Sequence, residues 1–125
     1  MIAVDSSAVV AIALAERESG AFSKILADSD RNVMSAANDL ECAMVLVGRF
    51  GSRSEFDDRI GQRHIEIASV DHALARLAAD AFARFGKGRH PAGLNFAYAL
   101  AKSLNASLLF KGHDFARTDV VPALP

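Results

Sequence analysis

The chain begins with Met1-Ile2-Ala3-Val4-Asp5-Ser6-Ser7-Ala8, a short apolar strand that delivers an aspartate to the start of a helix. In open α/β sheets, ligands and metals collect outside the carboxyl ends of the central strands, so Asp5 is a candidate site residue. Asp and Ser are also common helix N-caps, and these residues can equally be interpreted as the cap of the following helix. The octapeptide alone favours neither interpretation.

Strands and helices alternate along the rest of the chain. Further strands are predicted at residues 32–35, 65–70 and 107–110, with a last short strand near 120–121. The helix after the second strand is expected to turn one apolar set inward: Leu40, Ala43, Met44, Val47 and Phe50. This alternation predicts one domain over residues 1–125, with a parallel sheet and helices on both faces.

Composition excludes several classes of function. The 125 residues are 51% apolar with a formal net charge of −1, so nucleic-acid binding by bulk charge is excluded and only a local basic patch could serve. Cys42 is the one cysteine, which excludes an internal disulfide and a Cys-based zinc cluster and fits a cytoplasmic setting. No apolar run reaches the ~18–20 residues of a membrane span, and no leader peptide is recognisable.

Acidic residues fall at the predicted strand ends and helix starts. They are Asp5, Glu41, Asp71, Asp114 and Asp119. Glu41 lies about 100° round the helix from Leu40, at the border between core and cleft, or else it closes a capping box begun by Asn38. The last two follow the fourth strand, where turn chemistry is the alternative explanation.

Carboxylates that converge without thiolates or paired histidines suit Mg²⁺ or Mn²⁺ better than zinc. The histidines at 64, 72, 90 and 113 form no i, i+4 pair. Carboxylates that hold two divalent ions about 4 Å apart are one arrangement for phosphodiester cleavage. Lys87 and Arg89, in a glycine-rich loop, are candidates to hold a phosphate backbone, although such a run is more often a solvated turn.

Four stretches together resemble VapC-type toxins of the PIN-domain family, nearly from end to end. The stretches are Val4-Asp5-Ser6-Ser7-Ala8-Val9-Val10-Ala11-Ile12, Asp39-Leu40-Glu41, Gly86-Lys87-Gly88-Arg89-His90-Pro91-Ala92-Gly93-Leu94-Asn95-Phe96 and Leu108-Leu109-Phe110-Lys111-Gly112-His113-Asp114-Phe115. Each motif is weak alone, but their order and spacing are specific.

The resemblance implies a three-layer α/β/α fold around a parallel sheet of four to five strands in the order 3-2-1-4-5. It also implies a cytoplasmic endoribonuclease dependent on Mg²⁺ or Mn²⁺, a homodimer inhibited by a VapB-type antitoxin, with an RNA substrate for which transfer RNA is one candidate. Matched position by position, Asp5, Glu41 and Asp114 are the metal-binding acids, Asp119 is a nearby reserve, and Ser7 supports the acids.

The chain departs from this family after Phe96. Relatives with this loop continue Gly-Asp-Cys-Phe before the Ala-Tyr-Ala-Leu-Ala run, and that aspartate is a third metal ligand. Here Phe96 is followed directly by Ala97, and no Asp or Glu occurs between His90 and Asn105. Either the protein has lost this ligand or the printed sequence lacks four residues. A true loss predicts weakened metal binding and a feeble nuclease that still folds.

Two alternatives to the ribonuclease remain. A catalytically impaired relative would keep its interaction surface and act by binding its antitoxin or RNA. A receiver-like signalling module would use Asp5, Asp71 as phosphoacceptor and Lys111, but Asp71 stands where a helix cap belongs and Lys111 precedes glycine rather than proline. We take the metal-dependent endoribonuclease as the main hypothesis.

Overall fold

The computed structural model describes residues 1–86, 92–116 and 118–124, and within 92–95 it describes the helix but not the side chains. The described elements, in chain order, are β1 (Ile2–Val4), α1 (Ser6–Ala13), α2 (Ser19–Asp28), β2 (Asn32–Ser35), α3 (Ala36–Phe50), α4 (Arg53–Gln62), β3 (Ile65–Ala68), α5 (His72–Ala81), a π-helical segment (Phe82–Gly86), α6 (Ala92–Leu104) and β4 (Ser107–Leu109). None of the described helices is both long and apolar enough to cross a membrane.

The four strands form one parallel sheet in the order β3-β2-β1-β4. Ala3 of β1 pairs with Val33 of β2 on one side and Leu108 of β4 on the other. The first strand in the sequence is therefore a central one, flanked by strands that come about 30 and 105 residues later. This confirms the expected order 3-2-1-4 and the three-layer fold class.

The predicted fifth strand is reduced to a single bridge. Leu108 pairs with Pro122 in parallel, and the Leu108 amide donates to the Val121 carbonyl at 2.8 Å. Proline has no amide hydrogen to continue a ladder, which accounts for the short pairing. In the described part of the chain, the sheet thus ends at β4 with this bridge along its edge.

Helices cover both faces of the sheet. Val4, Met34 and Leu109 point to one face and pack with α1 to α4. Alternate residues of the same strands point to the other face and pack with α5 and α6; these are Ala3, Val33 and Leu108. The period of two along each strand thus separates two apolar cores, and both are buried because the sheet is parallel.

The inward face of α3 differs from the prediction. Leu40 and Met44 are 57% and 76% exposed, whereas the buried positions are Asn38, Cys42, Ala43 and Leu46. Of the predicted set, Ala43 is buried and Val47 and Phe50 are half-buried against the core. The apolar pattern was misleading because a polar residue, Asn38, takes an inward position. Its hydrogen bonds to the acidic residues fix the rotation of the helix.

The helix after β3 changes its geometry before it ends. Asp71 caps α5 by accepting from the Leu74 amide at 2.8 Å, as expected. The α-helix then stops at Ala81 and continues as the π-helical segment to Gly86. Phe82, the first residue of this segment, is 44% exposed although its spacing continues the apolar face of α5.

Candidate active site

Asp5 lies where β1 ends, at the carboxyl edge of the sheet, and only 2% of its surface is exposed. One carboxylate oxygen, Oδ2, accepts from the Ser7 amide at 3.0 Å and from the Ser7 hydroxyl at 2.6 Å. The residue is therefore the N-cap of α1, and its burial at the strand end also makes it the centre of the site. The two sequence interpretations of Asp5 are compatible.

Glu41 is linked to Asp5 by a hydrogen-bond network between α1 and α3. The hydroxyl of Ser6 donates to Glu41 Oε1 at 2.9 Å. The amide nitrogen of Asn38 donates to the same oxygen at 3.0 Å and reaches Asp5 Oδ1 at 3.3 Å. The structure thus brings together two of the predicted acids, which are 36 positions apart in the sequence.

The alternative explanation of Glu41 as a capping-box partner of Asn38 is wrong. Helix α3 begins at Ala36, and its N-cap is Ser35. The Ser35 hydroxyl accepts a hydrogen bond from the backbone N–H of Asn38 at 3.1 Å. Glu41 therefore lies in the second turn and is half-buried. Since the cap does not use its carboxylate, Glu41 is available to the site.

Ser7 connects the acid pair to the end of β4. Its hydroxyl donates to Asp5 and accepts from the backbone amide of Lys111 at 2.9 Å. The Lys111 ammonium in turn pairs with Glu16 and, at 3.5 Å, with Glu18. This geometry is compatible with the supporting role predicted for Ser7, and it adds Lys111 to the surroundings of the site.

Sequence reasoning missed the roles of Ser6, Asn38 and Lys111. A signal for Asn38 was present, because residues three apart on a helix share a face and Asn38 precedes Glu41 by three. The Lys111 contact had no local signal, since its partner Ser7 is 104 positions away.

Burial dominates the electrostatics of the site. Loss of hydration, with a smaller effect from the nearby Glu41 carboxylate, raises the pKa of Asp5 from 3.8 to about 6, although the hydrogen bonds from Ser7 act to lower it. Burial also raises the pKa of the Cys42 thiol, which keeps this neighbour of Glu41 protonated. Asp5 thus titrates close to neutrality.

The other predicted acids lie apart from this pair. Asp114 is exposed in the turn after β4, and no described contact joins its carboxylate to Asp5 or Glu41. Asp119 accepts from the Tyr98 hydroxyl and, at 3.2 Å, from the Lys102 ammonium, both on α6. Each carboxylate oxygen of Asp119 thus accepts a hydrogen bond from α6. These contacts place Asp119 against the outside of α6 and not beside Asp5 and Glu41. Lys87 and Arg89 lie outside the described residues.

The acid pair has donors that suit a hydrated divalent cation. Mg²⁺ keeps several waters and is commonly bound through one or two carboxylates, and the pair supplies two. Among residues 1–86, 92–116 and 118–124, no three His, Cys, Asp or Glu side chains form a group that could hold a metal. The described residues thus fit an ion held by two carboxylates, and they do not assemble the larger set that the resemblance implies.

Comparison with known proteins agrees with this geometry. The model of the PIN domain matches residues 2–121. A protein named Ribonuclease VapC from Mycolicibacterium smegmatis is 42% identical over 123 residues, which covers 94% of this chain and 95% of the relative. Ribonuclease VapC28 of Mycobacterium tuberculosis is 42% identical over 129 positions, which covers 97% of this chain and 96% of the relative.

Solved structures show the same fold at low sequence identity. Mycobacterium tuberculosis VapC20, described as a Sarcin-Ricin loop cleaving toxin, superposes with a TM-score of 0.77 at 17% identity over 97% of both chains. A toxin-antitoxin complex from Klebsiella pneumoniae gives 0.76 at 16% identity, over 97% of this chain and 95% of that one.

One of these alignments is longer than the chain itself. The match to VapC28 runs over 129 positions, four more than the 125 residues of this chain, so at least four residues of that relative have no counterpart here. The matches to the PIN domain also exclude the receiver-like alternative. Its proposed phosphoacceptor, Asp71, is the N-cap of α5. The chain belongs to the PIN-domain family, among its VapC-type ribonucleases.

Proposed function

We propose that this chain is the toxin of a type II toxin–antitoxin system and cleaves RNA phosphodiester bonds with the aid of Mg²⁺ or Mn²⁺. The observation that carries the proposal is the convergence of Asp5 and Glu41, which share the amide of Asn38 at the carboxyl edge of the sheet. Its homologues are named ribonucleases. The proposed setting is the cytoplasm, and the substrate is an RNA, with transfer RNA as one candidate.

Each residue has a proposed role. Asp5 and Glu41 bind the cation, and Asp114 is the further ligand implied by the resemblance. Ser7 orients the Asp5 carboxylate by its 2.6 Å hydrogen bond. When bound, the cation would supply an acidified water and would neutralise charge on the scissile phosphate. Lys87 and Arg89 are proposed to hold the RNA backbone. Asp119 is left out of this set, since Tyr98 and Lys102 bind its carboxylate.

The proposed partner is a VapB-type antitoxin, and an apolar groove between α1, α3 and α4 is its proposed docking site. The groove is lined by Val9, Ile12, Leu46, Phe50, Phe56 and Ile60. Two exposed cations, Arg59 and Arg63, also line it. This combination fits a partner segment that carries apolar side chains together with a carboxylate. An antitoxin bound there would contact α1 and α3, the two helices that carry Ser6 and Glu41.

The exposed face of α3 is the proposed homodimer interface. Leu40, Met44 and Val45 are 57%, 76% and 58% exposed, and Gly48 lies on the same face. Gly48 has no side chain, and nothing lies within 4 Å of the position that a Cβ would take. A helix of another subunit could therefore approach the backbone of α3 closely at this point. A second copy is the proposed occupant of this face, because a two-fold axis brings the same apolar stripe to both partners.

A second function is favoured by a specific observation. No group of three metal-binding side chains forms in the described part of the chain, and at least four residues of a close relative have no counterpart. These facts support an impaired PIN-domain protein that binds its antitoxin or RNA without cleavage. An intact mass near 13.3 kDa would confirm the shortened chain, whereas a mass heavier by about four residues would restore the missing aspartate.

Antitoxin-free protein incubated with transfer RNA and total RNA tests the proposal. Cleavage in Mn²⁺ or Mg²⁺ that stops on chelation is expected. Asp5→Asn and Glu41→Gln should abolish it without unfolding the protein, Asp114→Asn should weaken it, and the matched control Asp119→Asn should retain it. Cleavage that survives Asp5→Asn would refute this site. A wild-type protein that binds its antitoxin tightly but leaves RNA intact would establish the second function instead.

A further inference from the structure

The side-chain amide of Asn38 lies at the centre of the acid pair. Its nitrogen is 3.3 Å from Asp5 Oδ1, 3.0 Å from Glu41 Oε1 and 3.1 Å from the Ser6 hydroxyl. None of the residue is exposed to solvent. Oxygens from the N-cap of α1, from α1 itself and from α3 therefore surround a single nitrogen atom.

The orientation of this amide is fixed from the other side. The hydroxyl of Ser35 donates to Asn38 Oδ1 at 2.7 Å, so the oxygen end of the amide points to the cap of α3 and the nitrogen end points to the acids. A flipped amide would lose this bond and would turn an acceptor toward two carboxylates. The local sequence thus commits Asn38 to donating into the site.

Two carboxylates brought together out of water repel each other, and one of these is almost fully buried. A neutral amide that donates to both offsets part of that repulsion without adding a charge. Asp5 Oδ1 uses one lone pair to accept from Asn38 and keeps the other, so this hydrogen bond leaves the Asp5 carboxylate able to bind a cation. Glu41 presents Oε2 as well as the oxygen that Asn38 and Ser6 contact.

We propose that Asn38 is a positioning residue that holds the carboxylates of Asp5 and Glu41 together and thereby sets the affinity of the site for a divalent cation. The inference rests on the proposed function only in taking this pair as the cation site. Hydrogen-bond partners that orient metal ligands typically change metal affinity by about 10–100-fold when they are removed. Loss of the Asn38 amide should have an effect of that size.

The position also predicts what an acid would do there. In Asn38→Asp, a carboxylate oxygen replaces the nitrogen that now faces Asp5 and Glu41, while the other oxygen can still accept from Ser35. Three carboxylates would then converge. This should lower stability without a cation and strengthen cation binding, because the third acid adds negative charge beside Asp5 and Glu41.

The test measures Mn²⁺ binding by calorimetry and the melting temperature with and without Mn²⁺. Asn38→Ala should weaken Mn²⁺ binding by about 10–100-fold. Asn38→Asp should melt below wild type without metal and show a larger rise than wild type when Mn²⁺ is added. Asn32→Ala is the matched control: Asn32 is equally buried but donates to the Leu26 carbonyl at 3.0 Å, away from the acids. It should lose stability and keep wild-type Mn²⁺ affinity.

Several outcomes would overturn the inference. Unchanged Mn²⁺ affinity in Asn38→Ala would do so, as would an equal loss in Asn32→Ala, or an Asn38→Asp protein with no added response to Mn²⁺. Should Asn38→Ala not fold, Asn38→Ser keeps one hydroxyl that is too short to bridge both acids, and the same weakening is expected. If wild type binds no Mn²⁺ but Asn38→Asp does, the proposed metal dependence of wild type fails. The gain of binding would still support the position of residue 38 between Asp5 and Glu41.

Discussion

The hydroxyl of Ser7 donates a hydrogen bond to Asp5 Oδ2 at 2.6 Å and accepts one from the backbone amide of Lys111 at 2.9 Å. Ser7→Ala removes both bonds and leaves a half-buried amide without its acceptor. Hydrogen bonds to charged groups contribute about 1.5–3 kcal/mol, so a loss of about 2 kcal/mol in the free energy of unfolding is expected. Urea denaturation measures it. Ser103→Ala, whose hydroxyl donates only to the Leu100 carbonyl of its own helix, should change stability far less.

The raised pKa of Asp5 predicts a pH dependence of stability with a definite sign. The folded protein holds this proton more tightly than the unfolded chain, whose pKa is near 3.8, so the Asp5 contribution to stability falls as the pH rises from about 4 to about 6. The destabilisation caused by ionised Asp5 is absent at a pH below the unfolded-state pKa and complete above pH 6. The difference between the two values corresponds to about 3 kcal/mol.

Asp5→Asn removes this titration. Relative to wild type, the free energy of unfolding of this variant should therefore increase by up to about 3 kcal/mol between pH 4 and pH 7, whatever constant offset the amide introduces. Denaturant titrations across this range provide the measurement. In the control Asp119→Asn, Tyr98 and Lys102 hold the pKa of the native carboxyl below its usual value, so its curve should stay parallel to wild type above about pH 5. Parallel curves for Asp5→Asn would contradict the prediction.

The proposed homodimer predicts that one charge on α3 separates the subunits. Met44→Glu places a carboxylate on the apolar stripe, opposite its own copy across the two-fold axis, and should convert dimers to monomers. Light scattering coupled to gel filtration reports the mass. Val121→Glu is the control, since Val121 is also exposed, at 62%, but lies beside β4. A Met44→Glu protein that remains as dimeric as wild type would remove α3 as the interface.

The proposed antitoxin groove predicts a charge preference at its rim. Arg59→Glu should weaken binding of the antitoxin by slowing association and repelling the partner carboxylate, and the effect should shrink at high salt. Affinity is measured with the purified antitoxin by surface plasmon resonance. Arg76→Glu alters an exposed arginine of α5, on the opposite face of the sheet, and should bind as wild type does. Equal losses in both variants would point to bulk charge instead of the groove.

The predicted binding of RNA by Lys87 and Arg89 can be tested by salt dependence. Replacing both residues with alanine should weaken RNA binding and flatten the dependence of log K on log salt concentration, by roughly 0.7 for each phosphate of a single strand that is no longer neutralised. Fluorescence anisotropy with a labelled transfer RNA measures this slope. Arg31→Ala with Lys24→Ala is the charge-matched control, because these side chains pair with Glu66 and Asp28 near other surfaces. An unchanged slope in the Lys87 and Arg89 variant would count against their role.

The features that were predictable from sequence are those with local causes. The N-cap at Asp5 and the presence of four strands follow from the residues next to them and from the alternation of elements, whereas the strand order followed from the family resemblance. The pairing of Asp5 with Glu41 followed from the family resemblance, and the structure brings the two together.

What could not be predicted depends on contacts distant in the sequence or on a polar core. Leu40 and Met44 satisfied the apolar period better than Asn38 and Cys42 did, and no periodicity counts a buried asparagine as an inward residue. The Lys111 amide meets Ser7 only after the sheet has formed. Asp119 looked like a turn residue near the site, but the contact that places it comes from Tyr98 on another helix.

The position of β1 between β2 and β4 has a consequence for synthesis of the protein. Ile2–Val4 is synthesised well before its partner Ser107–Leu109 and before the Lys111 amide that binds Ser7. At about 5–20 residues per second, the 104 residues from Ser7 to Lys111 take about 5–20 s to translate. During that interval a nascent chain holds the carboxylates of Asp5 and Glu41 without the strand that completes their edge of the sheet. This edge of the sheet can therefore be completed only after Lys111 has been synthesised.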